Sequence, residues 1–217
     1  MLFPGPDVVM EKIFAVGDIH GCFVHLQDLL GKIPIGKNDI LLFLGDYIDR
    51  GPDSYEVVET LCRLKRGSAT VICLKGNHEQ MYLDYLEGKD RDLFLSNGGR
   101  QTLRSYRKNG YEYPPREHMD FFLSLYPCYE TEDFIFVHAG LLTNIPLQHQ
   151  NPEDLLWIRS QFYAAPNTWN KTIVFGHTPF AEPYVREGKI GIDTGACMGG
   201  LLTCVELPRM IFHQAVT

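Results

Sequence analysis

The chain has 217 residues, enough for one compact domain, and its 45% hydrophobic and 22% charged residues are typical of a globular protein. A net charge of -7, from 20 Lys and Arg against 27 Asp and Glu residues, opposes the phosphate attraction on which nucleic-acid binders depend. Composition and charge therefore argue against a disordered chain and against DNA or RNA as a partner, and we expect a single domain over residues 1–217.

The sequence contains no segment that predicts a membrane span or a signal peptide. No apolar run approaches the roughly 20 residues that cross a bilayer, and the stretch from Met1 to Met10 has neither a basic nor a long apolar region. We expect a cytoplasmic monomer without a membrane partner. The six cysteines form no C-x-x-C pair, so we expect free thiols. Cys22 is interpreted as a small apolar side chain rather than a redox group.

The first third of the chain alternates short apolar segments with segments of helical periodicity. Strands are predicted at Ile13–Val16, Ile40–Leu44 and Val71–Leu74, and helices at Phe23–Leu30 and Tyr55–Leu64. In such a layout the loops at the carboxyl ends of the strands carry function, because the scaffold fixes their anchor points. Functional residues are therefore expected directly after these strands.

The middle of the chain, from about residue 80 to residue 124, has the apolar period of helices. Breaks occur at Asn97–Gly99 and at Pro114–Pro115, and the first of these is assigned no functional role. We predict a helical insertion over one edge of a sheet. The last third returns to strands, which are predicted at Phe134–Val137, Ile173–Phe175, Ile190–Ile192 and Leu202–Val205.

Five of the predicted strands lead into a glycine-containing motif with a potential metal ligand. The motifs read G-D-I-H-G from Gly17, G-D-Y-I-D-R-G from Gly45, G-N-H-E from Gly76, H-A-G from His138 and G-H-T from Gly176. One Asp or His after a strand usually marks a turn or a helix cap, but coincidence does not supply the pattern five times. If the strands share a sheet and a direction, their ends gather Asp18, His20, Asp46, Asn77, His138 and His177.

These six side chains predict a site for divalent metal ions. Carboxylate, amide oxygen and imidazole together suit manganese, iron or zinc. The lack of cysteine ligands argues against a structural zinc site. The glycines beside the ligands let the backbone turn sharply after each strand, which places the next side chain at the mouth of the sheet.

The five motifs, in this order, resemble those of the phosphoprotein phosphatase family of the calcineurin-like metallophosphoesterases. The resemblance covers Lys12 to about Leu207, and the Arg of the second motif and the Glu of the third distinguish this family from related nucleases and phosphodiesterases. The chain length and the stretch Ile192–Gly195 are similar to the compact bacterial and bacteriophage members. The resemblance implies an α/β fold, a calcineurin-like metallophosphoesterase sandwich of two mixed β-sheets flanked by helices.

The resemblance also implies a centre of two divalent ions, with manganese expected first and iron or zinc as alternatives. Asp46 would bridge the ions. The other ligands would divide between them, with Asp18 and His20 on one ion and Asn77, His138 and His177 on the other. Two such ions can share a water, lower its pKa and direct the resulting hydroxide in line at phosphorus.

Four further residues are assigned by the resemblance to the substrate and to proton transfer. Arg50 would clamp phosphate oxygens through its planar fork, with Asn77 beside them. His78 would act as the general acid for the leaving group, oriented by Asp49. The alternative for His78, a metal ligand, is not adopted because the second ion already has four protein ligands. Arg159 resembles a second phosphate-binding arginine, with a surface ion pair as the alternative.

We therefore predict a phosphomonoesterase whose substrate is a phosphoprotein or a phosphorylated small molecule. A serine/threonine protein phosphatase that could also accept phosphotyrosine is the leading interpretation. Symmetrical hydrolysis of diadenosine tetraphosphate, which small relatives in the resembled family perform, is the alternative, and the motifs do not distinguish the two. A non-catalytic metal-binding interaction module is a third interpretation, but it requires a missing catalytic part and the sequence lacks none.

Overall fold

The structure is a computed structural model, and it describes residues 12–216 of the chain. In these residues ten β-strands form two five-stranded sheets. The strands are β1 (Ile13–Val16), β2 (Ile40–Phe43), β3 (Thr70–Cys73), β4 (Cys128–Glu130), β5 (Phe134–Val137), β6 (Thr172–Phe175), β7 (Tyr184–Arg186), β8 (Lys189–Gly191), β9 (Leu202–Leu207) and β10 (Ile211–Ala215).

Eight α-helices within the same residues flank the sheets. The helices are α1 (Phe23–Lys32), α2 (Ser54–Arg66), α3 (Asn77–Leu86), α4 (Arg91–Phe94), α5 (Arg100–Lys108), α6 (Arg116–Leu123), α7 (Pro152–Trp157) and α8 (Ser160–Tyr163). A kinked turn at Leu95–Gly99, in which Gly98 has a φ of 105°, joins α4 to α5. Between residues 12 and 216, no helix combines the length and the apolar character that crossing a bilayer requires.

Each sheet has a parallel centre and antiparallel edges. The first sheet has the order β10-β9-β1-β2-β3, in which β1, β2 and β3 are parallel and β9 and β10 are antiparallel to their neighbours. The second has the order β4-β5-β6-β8-β7, in which β5, β6 and β8 are parallel and β4 and β7 antiparallel. The predicted α/β sandwich of two mixed sheets flanked by helices is confirmed.

The central strands β1, β2 and β5 are apolar throughout because both faces of each sheet are covered. Successive side chains of a strand point to opposite faces, so Ala15 of β1 faces the second sheet, where it packs in a cluster with Phe136 and Val174. Its neighbour Phe14 faces the helices and packs with residues such as Leu26 of α1. The α7 and α8 segments cover the other side of the second sheet. The order of layers is therefore helices, sheet, sheet, helices.

The predicted strands and helices end within one or two residues of the observed ones. Three strands were not predicted, and all of them lie at sheet edges: β4, β7 and β10. An edge strand has a neighbour on one side only and carries polar side chains to avoid pairing with other chains. The central residues of β10, His213 and Gln214, illustrate why the apolar pattern is weak there.

The parallel strands bring their carboxyl ends to one region of the molecule. Glycine-containing loops follow β1, β2 and β3 in the first sheet and β5 and β6 in the second. A hydrogen bond between His138 Nδ1 after β5 and the Leu44 carbonyl oxygen after β2 joins the two sets of loops at 3.0 Å. The strand ends of both sheets therefore build one site.

Candidate metal centre

Asp46 lies at the middle of the group of six predicted ligands. Its Oδ2 atom is 3.4 Å from His20 Nε2. Its Oδ1 atom is 3.4 Å from His138 Nε2. The two oxygens of one carboxylate therefore face imidazoles on opposite sides, which is the arrangement that a bridging ligand needs.

On one side of Asp46, the side chains of Asn77, His138 and His177 bring three potential ligand atoms together. His138 Nδ1 donates to the Leu44 carbonyl oxygen, and burial lowers the pKa of His138 to about 3, so its Nε2 carries a lone pair at neutral pH. That lone pair lies 3.0 Å from Asn77 Oδ1, an acceptor. His177 Nδ1 lies 3.0 Å from the same oxygen. A cation here would be held by the Asn77 oxygen and the His138 nitrogen, which otherwise face each other as two acceptors.

On the other side, His20 presents a buried nitrogen that has no protein partner. Its Nδ1 atom donates to the Ile48 carbonyl oxygen at 2.8 Å, which fixes the ring and leaves a lone pair on Nε2. Nε2 has no hydrogen-bond partner among residues 12–216, although the side chain is buried. A buried polar atom without a partner is costly, and binding a metal ion through His20 Nε2 would remove that cost.

Asp18 completes the set from the side of His177. Both of its oxygens accept the backbone N–H of His177, at 3.2 and 3.0 Å. Burial raises the pKa of Asp18 well above its usual value, and the neighbouring carboxylates of Asp193 and Asp46 raise it further. Three buried carboxylates at close range favour a site for positive charge.

The donor set fits divalent ions. Two groups of three ligand atoms each lie within 4.8 Å of one another, and Asp46 belongs to both: His20, Asp46 and His78 in one group, and Asp46, His138 and His177 in the other. The first group contains His78, whereas the sequence assigned Asp18 to that ion. Oxygen and imidazole donors of this kind are those that manganese, iron and zinc take in proteins.

Glu79 supports the loop that carries Asp46. Its carboxylate accepts the backbone N–H groups of Asp46 and Tyr47, both at 2.9 Å, and of Gly76 at 3.0 Å. Three donated hydrogen bonds from two loops fix the loop after β2 against the start of α3. The Glu of the third motif therefore has a positioning task that its place in the sequence did not reveal.

His78 and Asp49 form a buried hydrogen-bonded pair next to the ligands. His78 Nδ1 lies 2.6 Å from Asp49 Oδ2, and both side chains are buried. Arg50 donates to His78 Nε2 at 3.0 Å, so that atom carries a lone pair in the structure. Burial, followed by the charges of Arg50 and Arg159, lowers the pKa of His78 to about 3.

Arg159 also reaches the centre. It occupies the N-cap position of α8, and its guanidinium donates to the His177 carbonyl oxygen at 3.1 Å. Its charge is among the causes that lower the pKa values of His78, His138 and His177, after burial. The structure thus brings both predicted phosphate-binding arginines to the metal-ligand cluster.

The backbone of the centre is strained. Nine non-glycine residues between residues 12 and 216 have a positive φ, and five of these belong to the site: His20, Asp46, Asp49, Arg50 and His177. Non-glycine residues avoid this conformation, and such outliers persist where the surrounding structure enforces them, commonly at functional sites. The concentration of strain at one place is independent support for a functional centre.

Cys22 lies two residues after His20 and is partly buried. Cys22 Sγ lies 3.7 Å from the His20 carbonyl oxygen. Burial, followed by the neighbouring Cys197, raises the pKa of the Cys22 thiol to about 12. A protonated thiol is a poor nucleophile and a poor metal ligand.

A groove lies beside the centre, next to Trp157. The Trp157 ring lies edge-on to His177, with 6.0 Å between ring centroids. It lines a groove of about 640 Å³ together with Gln80, Met81, Asp84, Asp90, Leu93, Pro152, Glu153 and Leu156. Three of these lining side chains are acidic and, among the residues that the structure describes, none is basic. The approach to the centre from this side is negatively charged.

Two buried residues near the ligands were missed by the sequence analysis. Asp193, in the Ile192–Gly195 stretch, accepts the Gly195 N–H at 3.0 Å and raises the pKa of Asp18, after burial. Thr102 of α5 contacts Asp49 with its hydroxyl. Both lie far from their partners in sequence, so only the folded structure identifies them.

Comparisons with known proteins agree with this geometry. The family model described as calcineurin-like phosphoesterase matches residues 11–197. A bis(5'-nucleosyl)-tetraphosphatase (asymmetrical) of Geobacillus sp. is 32% identical, over 92% of this chain and 91% of its own. A serine/threonine-protein phosphatase 1 of Salmonella typhimurium is 31% identical, over 91% of this chain and 92% of its own. The crystal structure of a putative diadenosine tetraphosphatase has the same fold, with a TM-score of 0.75, 22% identity and coverage of 96% and 94% of the two chains.

Proposed function

Because the chain belongs to the calcineurin-like phosphoesterase family, we propose that it is a metal-dependent phosphomonoesterase of the phosphoprotein phosphatase type. Its proposed substrates are phosphoserine and phosphothreonine side chains, from which it releases inorganic phosphate. The observation that carries this proposal is the 2.6 Å hydrogen bond between His78 Nδ1 and Asp49 Oδ2, beside Arg50.

The His78–Asp49 pair suits a substrate whose leaving group needs a proton. A serine or threonine alkoxide is a strong base and leaves readily only when an acid protonates it. A nucleotide that leaves from a phosphate anhydride departs as a stable phosphate anion and needs little such help. Asp49 holds the imidazole so that Nε2 points toward Arg50, the proposed phosphate ligand. That atom is placed to deliver the proton.

Arg50 couples phosphate binding to proton delivery. Its guanidinium donates to His78 Nε2 in the structure, which favours the neutral imidazole. A phosphoryl group offers Arg50 a bidentate partner in place of that single bond. It also brings negative charge next to His78, which raises the pKa of the imidazole. Substrate binding thus prepares the general acid, and Arg159 supplies a second cation for the phosphoryl oxygens.

The six clustered ligands are proposed to hold two divalent ions, manganese first. Ions bound there would activate a water as the nucleophile and neutralise charge on the phosphoryl group. Asp46 fits the bridging position because its two oxygens face different histidines. Asn77, a proposed ligand of one ion, would also contact the phosphate.

The charge around the centre supports a monoester over a longer polyphosphate. The groove beside Trp157 carries Asp84, Asp90 and Glu153 and repels additional phosphate groups. A phosphopeptide with neutral or basic neighbours meets no such repulsion. The net charge of -7 adds to this preference.

Asymmetrical hydrolysis of dinucleoside tetraphosphates is the second candidate. It is supported by the activity for which relatives such as the one from Geobacillus sp., at 32% identity, are named. The sequence-based alternative was symmetrical cleavage, and the name of these relatives favours the asymmetrical reaction instead. The Trp157 ring beside the centre offers a surface on which a nucleobase could stack.

The deciding experiment compares kcat/KM of the manganese-loaded protein on a phosphoserine peptide and on diadenosine tetraphosphate, with the products separated by chromatography. The proposal predicts a higher kcat/KM on the peptide than on the tetraphosphate. Among peptides, it predicts a higher kcat/KM when the residues next to phosphoserine are basic than when they are acidic. A preference for the tetraphosphate with ATP and AMP as products would establish the second candidate, and two ADP would establish symmetrical cleavage. Turnover of neither substrate, nor of a phosphotyrosine peptide, would favour the non-catalytic interpretation.

A further inference from the structure

Asp49 and Arg50 form a turn that cannot hold its conformation by local preferences. Both residues have a positive φ, 71° and 63° respectively. Two consecutive non-glycine residues in this region are unfavourable, so contacts from elsewhere must hold them. The turn matters because the proposed function needs the carboxylate of Asp49 behind His78 and the guanidinium of Arg50 at the phosphate.

Thr102, near the start of α5, bonds both the backbone and the side chain of Asp49. Its Oγ1 accepts the Asp49 N–H at 2.8 Å and donates to Asp49 Oδ1 at 2.6 Å. Ser54 Oγ lies 3.1 Å from the same hydroxyl. Asp49, Ser54 and Thr102 all have 0% exposure, so water does not replace these bonds.

The Thr102 hydroxyl determines which way the Asp49 carboxylate faces. Oδ1 accepts from Thr102 and Oδ2 lies 2.6 Å from His78 Nδ1, so each oxygen has a separate partner. Without the hydroxyl, one oxygen of a fully buried carboxylate loses its donor. The carboxylate can then rotate, and the imidazole loses its fixed orientation.

Gly98, four residues before Thr102, holds Arg50 through a backbone hydrogen bond. Its carbonyl oxygen accepts the Arg50 N–H at 3.3 Å. Gly98 has a φ of 105°, and a Cβ atom added there would lie 2.6 Å from Arg50 N. Glycine is required at this position because the two backbones approach so closely.

We infer that residues Gly98 to Thr102, the 98–102 segment, are a positioning element for catalysis that holds the Asp49–Arg50 turn. This inference rests on the proposed function of His78 as general acid and Arg50 as phosphate ligand. The segment belongs to the helical region between β3 and β4, to which the sequence assigned no catalytic task. Thr102 acts through Asp49 on the general acid, and Gly98 acts on the phosphate-binding arginine.

The alternative is that the segment only docks α5 on α2. Ser105, one turn after Thr102, provides the matched control because it docks the same two helices without touching the turn. Its Oγ accepts the Tyr55 N–H at 3.0 Å and donates to Glu56 at 3.2 Å, and it is equally buried. Loss of the Ser105 hydroxyl should therefore weaken the helix contact and leave the Asp49–Arg50 turn in place.

The test of the Thr102 contact uses Thr102→Val, which keeps the shape and removes the hydroxyl, with Thr102→Ser and Ser105→Ala as controls. We expect Thr102→Val to lower kcat/KM on a phosphoserine peptide roughly 10- to 100-fold, the range for supporting hydrogen bonds at such centres. On p-nitrophenyl phosphate, whose leaving group needs little protonation, the loss should be small. Thr102→Ser should restore activity on the peptide, and Ser105→Ala should show no selectivity between substrates.

The test of the Gly98 contact uses inhibition by inorganic phosphate. Inorganic phosphate has no leaving group, so its inhibition reports on phosphate binding by Arg50 independently of the general acid. Gly98→Ala pushes the Arg50 backbone away, so phosphate should inhibit this variant more weakly than wild type. Ser96→Ala, on the exposed side of the same turn, is the control and should leave phosphate inhibition unchanged.

If Thr102→Val does not fold, Thr102→Ala, which also lacks the hydroxyl, takes its place in the test of the Thr102 contact.

Reference variants separate failure of this inference from failure of the proposed function. If His78→Asn and Asp49→Asn lose activity selectively on the peptide while folded Thr102→Val does not, the inference is wrong and the proposed acid stands. If His78→Asn loses activity equally on both substrates, the proposed acid is wrong and the inference falls with it. Addition of Thr102→Val to Asp49→Asn should cause no further selective loss, because Thr102 acts through Asp49.

Discussion

The apolar layer between the two sheets and the polar centre at the strand ends are buried to the same extent, but they differ in chemistry. In the apolar layer, Phe136, Val174 and Val205 contact other apolar side chains and leave nothing unsatisfied. In the centre, His20 has a buried nitrogen without a partner and Asp18 lies near other carboxylates. Burial stabilises the first region and raises the free energy of the second.

The backbone shows the same difference. The strands that carry the apolar layer are regular and paired in register, such as Ala15 opposite Leu42 and Val205. The loops of the centre contain five of the nine non-glycine residues with positive φ between residues 12 and 216. The sandwich therefore supplies the stability that holds an unfavourable arrangement of ligands, and each region should respond to substitution in its own way.

The largest expected effect is on activity, from Asp46→Asn in the centre. This change weakens the binding of both ions, whereas His20→Asn affects one, so Asp46→Asn should lower kcat and metal content more. Removal of a buried carboxylate near Asp18 should not lower the thermal midpoint of the metal-free protein. Metal analysis and kcat measured on the same samples check this. Two ions bound normally by an inactive Asp46→Asn protein would contradict the bridging role.

The next largest effect is the loss of rate in His78→Asn, which should depend on the leaving group of the substrate. General acid catalysis typically contributes on the order of 10² to 10⁴ in rate, so most of that factor should be lost on phosphoserine peptides. Much less should be lost on p-nitrophenyl phosphate, provided that chemistry limits both reactions. Asp49→Asn should show the same selectivity in milder form. Equal losses on both substrates, together with a missing ion, would mean that His78 is a metal ligand.

A substitution in the apolar layer should lower the free energy of unfolding and leave catalysis unchanged. Leu207→Ala removes a fully buried side chain opposite Ile13, at the end of β1 away from Asp18. We expect the free energy of unfolding to fall by about 2–5 kcal/mol, with kcat of the folded protein unchanged. Urea unfolding with an unchanged slope and kinetics at low temperature test this. A large loss of kcat would show that the two regions are not separable.

The smallest of these effects is expected from Arg159→Ala at the rim of the centre. Loss of a charge-assisted hydrogen bond costs roughly 1.5–3 kcal/mol, so kcat/KM and affinity for inorganic phosphate should both fall by a corresponding factor. Arg209→Ala is the control, since Arg209 pairs with Glu206 in the turn after β9. Unchanged phosphate inhibition in Arg159→Ala would remove this residue from the site.

The proposed ligands could be found from the sequence because each one lies one to four residues after the end of its strand. An apolar segment, a glycine and an Asp, Asn or His are neighbours in the chain, and parallel strands carry such ends to one place, as for Asp18, Asp46 and Asn77. Their side chains are brought together by the sheet itself. Local sequence therefore contained most of the information about the centre.

The supporting contacts could not be predicted because they join distant residues through packing. Thr102 reaches Asp49 across 53 positions only because α5 packs against α2. Asp193 approaches Asp18 from the other end of the chain. Asp and His adopt a positive φ more readily than other non-glycine residues, but residue type alone does not identify His20 and Asp46 as the positions where the loops impose it. The edge strands β4, β7 and β10 were missed because their apolar pattern is interrupted by polar side chains.

The most direct test of the account is the number of manganese ions bound per chain, measured together with thermal unfolding across a manganese titration. An ion that binds only the folded state stabilises it by about 2.7 kcal/mol at 100 times its Kd, and each kcal/mol raises Tm by about 2–4 °C in a chain of this size. The account predicts two ions per chain and a clear rise in Tm, with the same rise in Leu207→Ala and a reduced one in Asp46→Asn. No bound ion and an unchanged Tm would contradict it.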